Sequence, residues 1–159
     1  MHLEIRRQRL ANVLRAGKEL GISVLNTFTG DAETPEEIAA FIAKVRAIAE
    51  EAKEAGFRLC IETDSNLLPT AEIGRETLAQ IDNPWGGINY DPSNIIYYTE
   101  AIPEEDIMLA LPHLGHVHQK DTRGVRGVGD FPPLGDAARS IFHTSCIRST
   151  PPAMRGLSR

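Results

Sequence analysis

Apolar stretches alternate along the chain with segments of helical periodicity, and this alternation limits the folds that the chain can adopt. Four apolar, strand-like stretches begin near residues 22, 57, 86 and 114, about 30 residues apart. The clearest helical segment between them begins at a Thr34-Pro35-Glu36-Glu37 capping box and ends at Gly56. Strands that alternate with helices at this spacing form parallel βαβ units. The sequence therefore predicts an α/β fold, either a doubly wound sheet or part of a (β/α)8 barrel.

The expected boundaries of the other elements follow from capping, turn and helix-ending residues. A first helix is expected from about residue 3 to residue 20, and the first strand from residue 22 to residue 28. Asp91-Pro92-Ser93-Asn94 is typical of a turn after the third strand. A helix that opens at Pro103 is expected to end at Pro112, directly before the fourth strand.

Polar residues stand at or just beyond the carboxyl end of each predicted strand. They are Asn26, Glu62, Asp91 and His118. In barrels and in open α/β sheets, this edge carries the ligand chemistry. A glutamate, an aspartate and a histidine that converge there could bind Mn²⁺, Mg²⁺, Co²⁺ or Zn²⁺. A single polar residue at a strand end is ordinary, and Asp91 before a proline is also a common start of a turn.

The most polar of these strand ends is residues 113–121, His-Leu-Gly-His-Val-His-Gln-Lys-Asp. Side chains alternate along a strand, so His116 and His118 should share one face. The position at the strand end favours His118 as a ligand. His116 could orient His118 or pack as a core histidine, and His113 is expected to be a bystander. Lys120 could contribute to the site or belong to a surface ion pair.

Composition excludes several classes of function. The net charge is −5, and residues 137–159 contain four arginines and no acid, so residues 1–136 are more acidic still, which argues against nucleic-acid binding. No apolar run approaches the ~20 residues that a membrane-spanning helix needs. Two cysteines without C-x-x-C spacing indicate neither a disulfide framework nor a zinc site, and we expect a cytoplasmic location. Residues 137–159 are expected to form an unrelated, disordered tail.

Three segments together carry a more specific signal. They are Phe-Arg-Leu-Cys-Ile-Glu at 57–62, Gly-Ile-Asn-Tyr-Asp-Pro-Ser-Asn at 87–94, and Gly-His-Val-His-Gln-Lys-Asp at 115–121. In order and spacing they resemble the sugar phosphate isomerase/epimerase family, which has a xylose isomerase-like (β/α)8 barrel. The resemblance covers roughly residues 5–136 and about strands three to six of that barrel. It implies a partial, truncated barrel in residues 1–136 with Glu62, Asp91 and His118 as metal ligands; the family's fourth ligand, a glutamate, has no counterpart here.

The resemblance also implies a function. By this resemblance, the chain is expected to be a divalent-metal-dependent isomerase or epimerase that acts on a sugar or sugar phosphate through a metal-stabilised enediolate. Glu62 would be both ligand and base, and Lys120 a second catalytic group. The residues assigned to substrate binding are Asn26, Asn94, His116 and Arg123.

Three alternatives stay open beside this interpretation. One is a lyase similar to inosose dehydratase on the same barrel. Another is a catalytically inactive half-barrel that self-associates through its open sheet edges. The apurinic endonuclease relatives of this barrel are disfavoured by the acidic charge and by the small number of histidines.

Overall fold

The computed structural model describes residues 2–65 and 67–136, with side chains from residue 8 onward. Four strands form one sheet in the order β1-β2-β3-β4, and every pair is parallel. The strands are β1 (Val24–Thr27), β2 (Arg58–Glu62), β3 (Gly86–Tyr90) and β4 (Leu114–Val117). The helices are α1 (His2–Glu19), α2 (Pro35–Glu54), α3 (Ala71–Ile81), α4 (Pro92–Tyr98) and α5 (Pro103–Ala110), followed by a 3₁₀ turn (Leu111–His113).

This architecture confirms the predicted partial (β/α)8 barrel, because sequential parallel strands joined by helices are its repeating unit. The predicted tail, residues 137–159, lies outside the described residues, so its disorder and its boundary at residue 136 stay predictions. No helix in the described part of the chain has the length and apolar character needed to cross a bilayer.

The capping box that predicted α2 is present. The Thr34 hydroxyl accepts a hydrogen bond from the Glu37 amide at 3.2 Å, and the Glu37 carboxylate accepts one from the Thr34 amide at 3.0 Å. This exchange satisfies two of the amides that a helix start leaves without partners. The helix then buries a stripe of four residues against the sheet: Ile42, Val45, Ala49 and Ala52.

Three predicted boundaries differ from those in the structure. Residues 91–94 do not form an isolated turn, because Asp91 is the N-cap of α4. An aspartate before a proline starts turns and helices alike, so the local sequence did not distinguish them. Helix α5 ends at Ala110, and Pro112 lies inside the following 3₁₀ turn rather than at the end of the helix. Strand β1 is also shorter than predicted, since it spans only Val24–Thr27.

The sheet has an apolar face against the helices and a polar inward face. Leu59, Ile61 and Ile88 belong to the core with the helices. Cys60 and Glu62 alternate with them and therefore point to the other side. On that side, Asn26 Nδ2 of β1 lies 3.3 Å from His116 Nδ1 of β4. A side-chain contact between the first and fourth strands requires a curled sheet, as in a barrel wall.

Candidate metal centre

Three strand ends bring together Glu62, Asp91 and His118. Glu62 is the last residue of β2, Asp91 follows β3, and His118 follows β4. The His118 amide donates to the Tyr90 carbonyl at 2.9 Å, so the parallel pairing continues one residue beyond β4. One ligand atom from each of the three residues lies within 4.8 Å of the other two. This is the arrangement that the alternation of strands and helices predicted.

The Glu62 carboxylate is buried and held at both oxygens. Asn89 Nδ2 donates to Oε2 at 3.0 Å, and Asn94 Nδ2 donates to Oε1 at 3.4 Å. His118 Nδ1 lies 2.9 Å from Oε1. Both amides are supplied by β3 and the start of α4. The carboxylate therefore has a defined orientation, with Oε1 facing His118 and Oε2 facing Asn89.

The two oxygens of the fully buried Asp91 carboxylate have different surroundings. Oδ1 accepts hydrogen bonds from the Ser93 and Asn94 amides at 2.9 and 3.1 Å, which caps α4. Oδ2 accepts no hydrogen bond from the described residues. It instead faces the Lys120 ammonium at 3.1 Å and His118 Nδ1 at 3.5 Å. The Lys120 ammonium therefore compensates the charge on this buried oxygen.

This donor set fits a divalent cation. Two carboxylates and one imidazole nitrogen suit Mn²⁺, Co²⁺, Mg²⁺ or Zn²⁺, and Asp91 Oδ2 faces the His118 ring at 3.5 Å. Glu62, Asp91 and His118 would hold the ion, each through one ligand atom.

Lys120 borders the same group. Its ammonium donates to Asn94 Oδ1 at 2.7 Å and lies 4.1 Å from the centroid of the Phe131 ring. The Ser93 hydroxyl donates to the Lys120 backbone carbonyl. These contacts hold the Lys120 ammonium beside Asp91, near the start of α4.

A pocket of about 360 Å³ opens above Glu62 and His118. Aromatic side chains supply much of its wall, which explains how a polar site keeps an apolar surface for the carbon atoms of a ligand. Burial, with a hydrogen bond to Asp64, raises the pKa of Tyr98 to about 12, so its phenol stays neutral at physiological pH. The lining residues are Phe28, Glu62, Asp64, Asn94, Tyr97, Tyr98, His118, Lys120, Gly129 and Phe131.

The other predicted site residues differ in whether they contact the three candidate ligands. Asn94 contacts Glu62 directly, whereas Asn26 contacts His116 on the inward face. His116 Nδ1 lies 2.8 Å from Asn89 Oδ1 and 3.3 Å from Asn26 Nδ2, so the hydrogen bonds described for His116 are to these two asparagines and not to His118. Arg123 forms an exposed ion pair with Asp130 at 2.6 Å and does not line the pocket among the described residues.

The sequence interpretation missed Asn89. It lies inside β3 and is 1% exposed, yet its amide connects Glu62 with His116. The available signal was an asparagine within an otherwise apolar strand, because a buried amide needs hydrogen-bond partners. Phe28 and Phe131, which line the pocket, had no signal in the sequence beyond their position in or near strand-end loops.

Known structures support the architecture. The 3-DHS dehydratase AsbF of Bacillus anthracis, described as probable, is 21% identical, with a TM-score of 0.70 over 76% of this chain and 46% of that one. A xylose isomerase domain protein from Planctomyces limnophilus is 21% identical, with a TM-score of 0.69 over 91% of this chain and 55% of that one. D-allulose 3-epimerase from Methylomonas sp., in complex with D-allulose, is 20% identical, with a TM-score of 0.60 over 69% and 41%.

At these identities the likeness shows the fold alone, and the chain spans about half the length of the structures it matches. No curated protein matches the sequence. The sequence model of the xylose isomerase-like TIM barrel family matches residues 2–146 of this chain. The match therefore extends past residue 136, where the barrel was predicted to end. The chain therefore belongs to the xylose isomerase-like TIM barrel family.

Proposed function

We propose that the chain binds a divalent metal through Glu62, Asp91 and His118 and isomerises or epimerises a sugar. One observation carries this proposal. Three ligand atoms from three strand ends lie within 4.8 Å of one another, and two of the three residues are buried carboxylates, Glu62 and Asp91. Lys120, 3.1 Å from Asp91 Oδ2, is the one lysine or arginine among the described residues that is paired with either carboxylate, and a divalent cation would supply the further positive charge that two converging buried carboxylates call for.

The chemistry is proton transfer beside a carbonyl group. A bound divalent cation would polarise the carbonyl and the neighbouring hydroxyl of the substrate, which acidifies the C–H of the carbon that bears this hydroxyl. Glu62 then removes this proton, since its carboxylate lines the pocket and two amides fix its orientation. Return of the proton to the former carbonyl carbon completes isomerisation, whereas epimerisation requires a second group to return a proton to the opposite face of the carbon that lost it. Lys120, held by Asn94, donates a hydrogen bond to a substrate oxygen.

An unphosphorylated sugar is the better first substrate. Arg123, the candidate for binding a phosphate, is paired with Asp130 on the surface. The pocket instead presents Lys120 as its one lysine or arginine among the described residues, together with several aromatic side chains. Structural neighbours include D-allulose 3-epimerase and L-ribulose 3-epimerase, so ketoses of this kind are the substrates to test.

The test is exchange of a substrate proton with solvent. The Mn²⁺-loaded chain is incubated with D-allulose or L-ribulose in D₂O, and deuterium beside the carbonyl is measured by NMR. Exchange should occur with the wild type and with His113→Gln, because His113 lies at the opposite end of β4. It should be lost in Glu62→Gln. Absence of exchange in a chain that binds Mn²⁺ would contradict the catalytic part of the proposal.

A lyase on the same site is the second candidate, because the B. anthracis dehydratase is among the structural neighbours. Removal of the same proton followed by loss of a hydroxyl would give an unsaturated ketone. Its absorbance distinguishes dehydration from epimerisation.

A non-catalytic role is the third candidate. β1 and β4 each pair with only one neighbouring strand within the described sheet, and open edges favour self-association. Sedimentation at several chain concentrations tests this role. A monomer at all of them would rule out association through the edges.

A further inference from the structure

We propose that His116 is a positioning residue that sets the orientation of the Glu62 carboxylate through Asn89. This inference rests on the proposed function, because it concerns how the same metal centre is built. His116 contacts neither Asp91 nor His118 in the described hydrogen bonds, so its effect on the centre has to pass through another side chain.

The three residues form a row across three neighbouring strands. Glu62 of β2 pairs in register with Asn89 of β3, and Asn89 pairs with His116 of β4. Side chains at paired positions of adjacent parallel strands lie side by side on one face. Hydrogen bonds connect the row, from His116 Nδ1 to Asn89 Oδ1 at 2.8 Å and from Asn89 Nδ2 to Glu62 Oε2 at 3.0 Å.

A bulge in β4 creates this row. Ile88 pairs with Leu114, but the next residue of β3, Asn89, pairs with His116, and the register therefore skips Gly115. Without the extra residue, Asn89 would lie opposite a glycine that has no side chain to donate. A bulge commonly redirects a side chain next to a functional site. Here it places an imidazole beside the buried amide.

The polarity of the row follows from the carboxylate. An ionised Glu62 only accepts hydrogen bonds, so the Asn89 group that faces it is the NH₂. Asn89 Oδ1 then faces His116 and needs a donor, which requires a proton on His116 Nδ1. Asn26, whose side chain also approaches Nδ1 at 3.3 Å, would have to present its oxygen rather than its amide to that proton, or stay unbonded.

Asn89 makes this connection effective because it is buried. Asn89 is 1% exposed, and among the described residues the hydrogen-bond partner of its side-chain Oδ1 is His116. Loss of His116 would leave this oxygen without a donor and free the amide to turn. The amide would then release Glu62 Oε2, and the carboxylate would no longer direct Oε1 toward His118 and Asp91.

The first experiment measures Mn²⁺ affinity by electron paramagnetic resonance of the free ion. His116→Leu and Asn89→Leu should each weaken binding about tenfold or more, which is typical when a partner of a metal ligand is removed. The double variant should bind like Asn89→Leu alone, because His116 acts through Asn89. His116→Gln, whose amide can donate to Asn89, should restore most of the affinity, and His113→Gln should leave it unchanged. Unchanged affinity in the single variants, or losses that add in the double variant, would overturn the inference.

The second experiment needs no metal and therefore separates this inference from the proposed function. In ¹⁵N NMR of the metal-free wild type, His116 Nδ1 should carry a proton. The ¹³C shift of the Glu62 carboxyl should change in His116→Leu and stay constant in His113→Gln. An Nδ1 without a proton, or a Glu62 shift that ignores His116, would overturn the inference. A wild type that shows both signatures but binds no Mn²⁺ would overturn the proposed function while confirming the positioning of Glu62.

Discussion

Asp91 has two separable tasks, and two substitutions of it should separate them. Oδ1 caps α4 by accepting hydrogen bonds from the Ser93 and Asn94 amides at 2.9 and 3.1 Å, whereas Oδ2 faces His118 at 3.5 Å. Asparagine keeps an oxygen that can cap the helix and removes the charge. Alanine removes both. We therefore predict that Asp91→Asn and Asp91→Ala lose Mn²⁺ binding alike but differ in stability.

The magnitude follows from a comparison of the two variants. Both remove the same buried carboxylate and the same ion pair with Lys120, so these charge effects largely cancel in the difference. What remains is mainly the cap, and replacing an Asn or Asp cap by Ala costs about 1 kcal/mol, within a range of about 0.5–2 kcal/mol. Asp91→Ala should therefore be less stable than Asp91→Asn by about that amount.

The assay is urea unfolding followed by circular dichroism, with EDTA present so that metal binding does not contribute to stability. Mn²⁺ affinity is measured separately in the absence of chelator. Equal stability of the two variants would refute the capping role of Oδ1. Retention of Mn²⁺ by Asp91→Asn would refute the role of Oδ2 as a charged ligand.

Three further predictions concern the packing and protonation of buried groups. A Cβ at Gly115 would overlap Cys60 Sγ, so Gly115→Ala should lower the free energy of unfolding in urea by about 1–3 kcal/mol. Adding Cys60→Ala should restore part of this stability. Additive losses in the double variant would contradict this packing. Burial raises the pKa of Cys60 to about 11, so at about pH 8 iodoacetamide should modify this thiol only when the chain unfolds. Peptide mapping measures the labelling. Rapid labelling of Cys60 in the folded chain would contradict its burial. Burial also raises the pKa of Asp106, so the folded state is destabilised as pH rises above about 4 and this carboxyl must ionise. The melting temperature of Asp106→Asn, measured relative to that of the wild type, should therefore increase as pH rises above about 4. A decrease in this difference would contradict the raised pKa.

The sequence predicted the parts of the fold that depend on local chemistry. The capping box at Thr34 and the alternation of apolar stretches with helices placed α2 and the four strands, because these signals act within a few residues. The positions of Glu62, Asp91 and His118 followed, since carboxyl ends of parallel strands meet at one edge. Their binding of a metal stays a prediction.

The remaining features depend on contacts between distant segments. The pairing that brings His116 opposite Asn89 requires a bulge at Gly115, and register across two strands is not encoded in either strand alone. The ion pair of Arg123 with Asp130 likewise depends on the path of the loop after β4. For the same reason, one interpretation of the sequence had His116 orient His118, whereas its hydrogen bonds in the structure are to Asn89 and Asn26.

The most direct test of the metal centre is titration of the metal-free chain with Mn²⁺ by isothermal calorimetry. We predict a single saturable site in the wild type and in His113→Gln. That site should be lost in Glu62→Gln, Asp91→Asn and His118→Leu, whose wild-type ligand atoms lie within 4.8 Å of one another. A wild type that binds no Mn²⁺, or binding that survives all three substitutions, would contradict a metal centre at the ends of β2, β3 and β4.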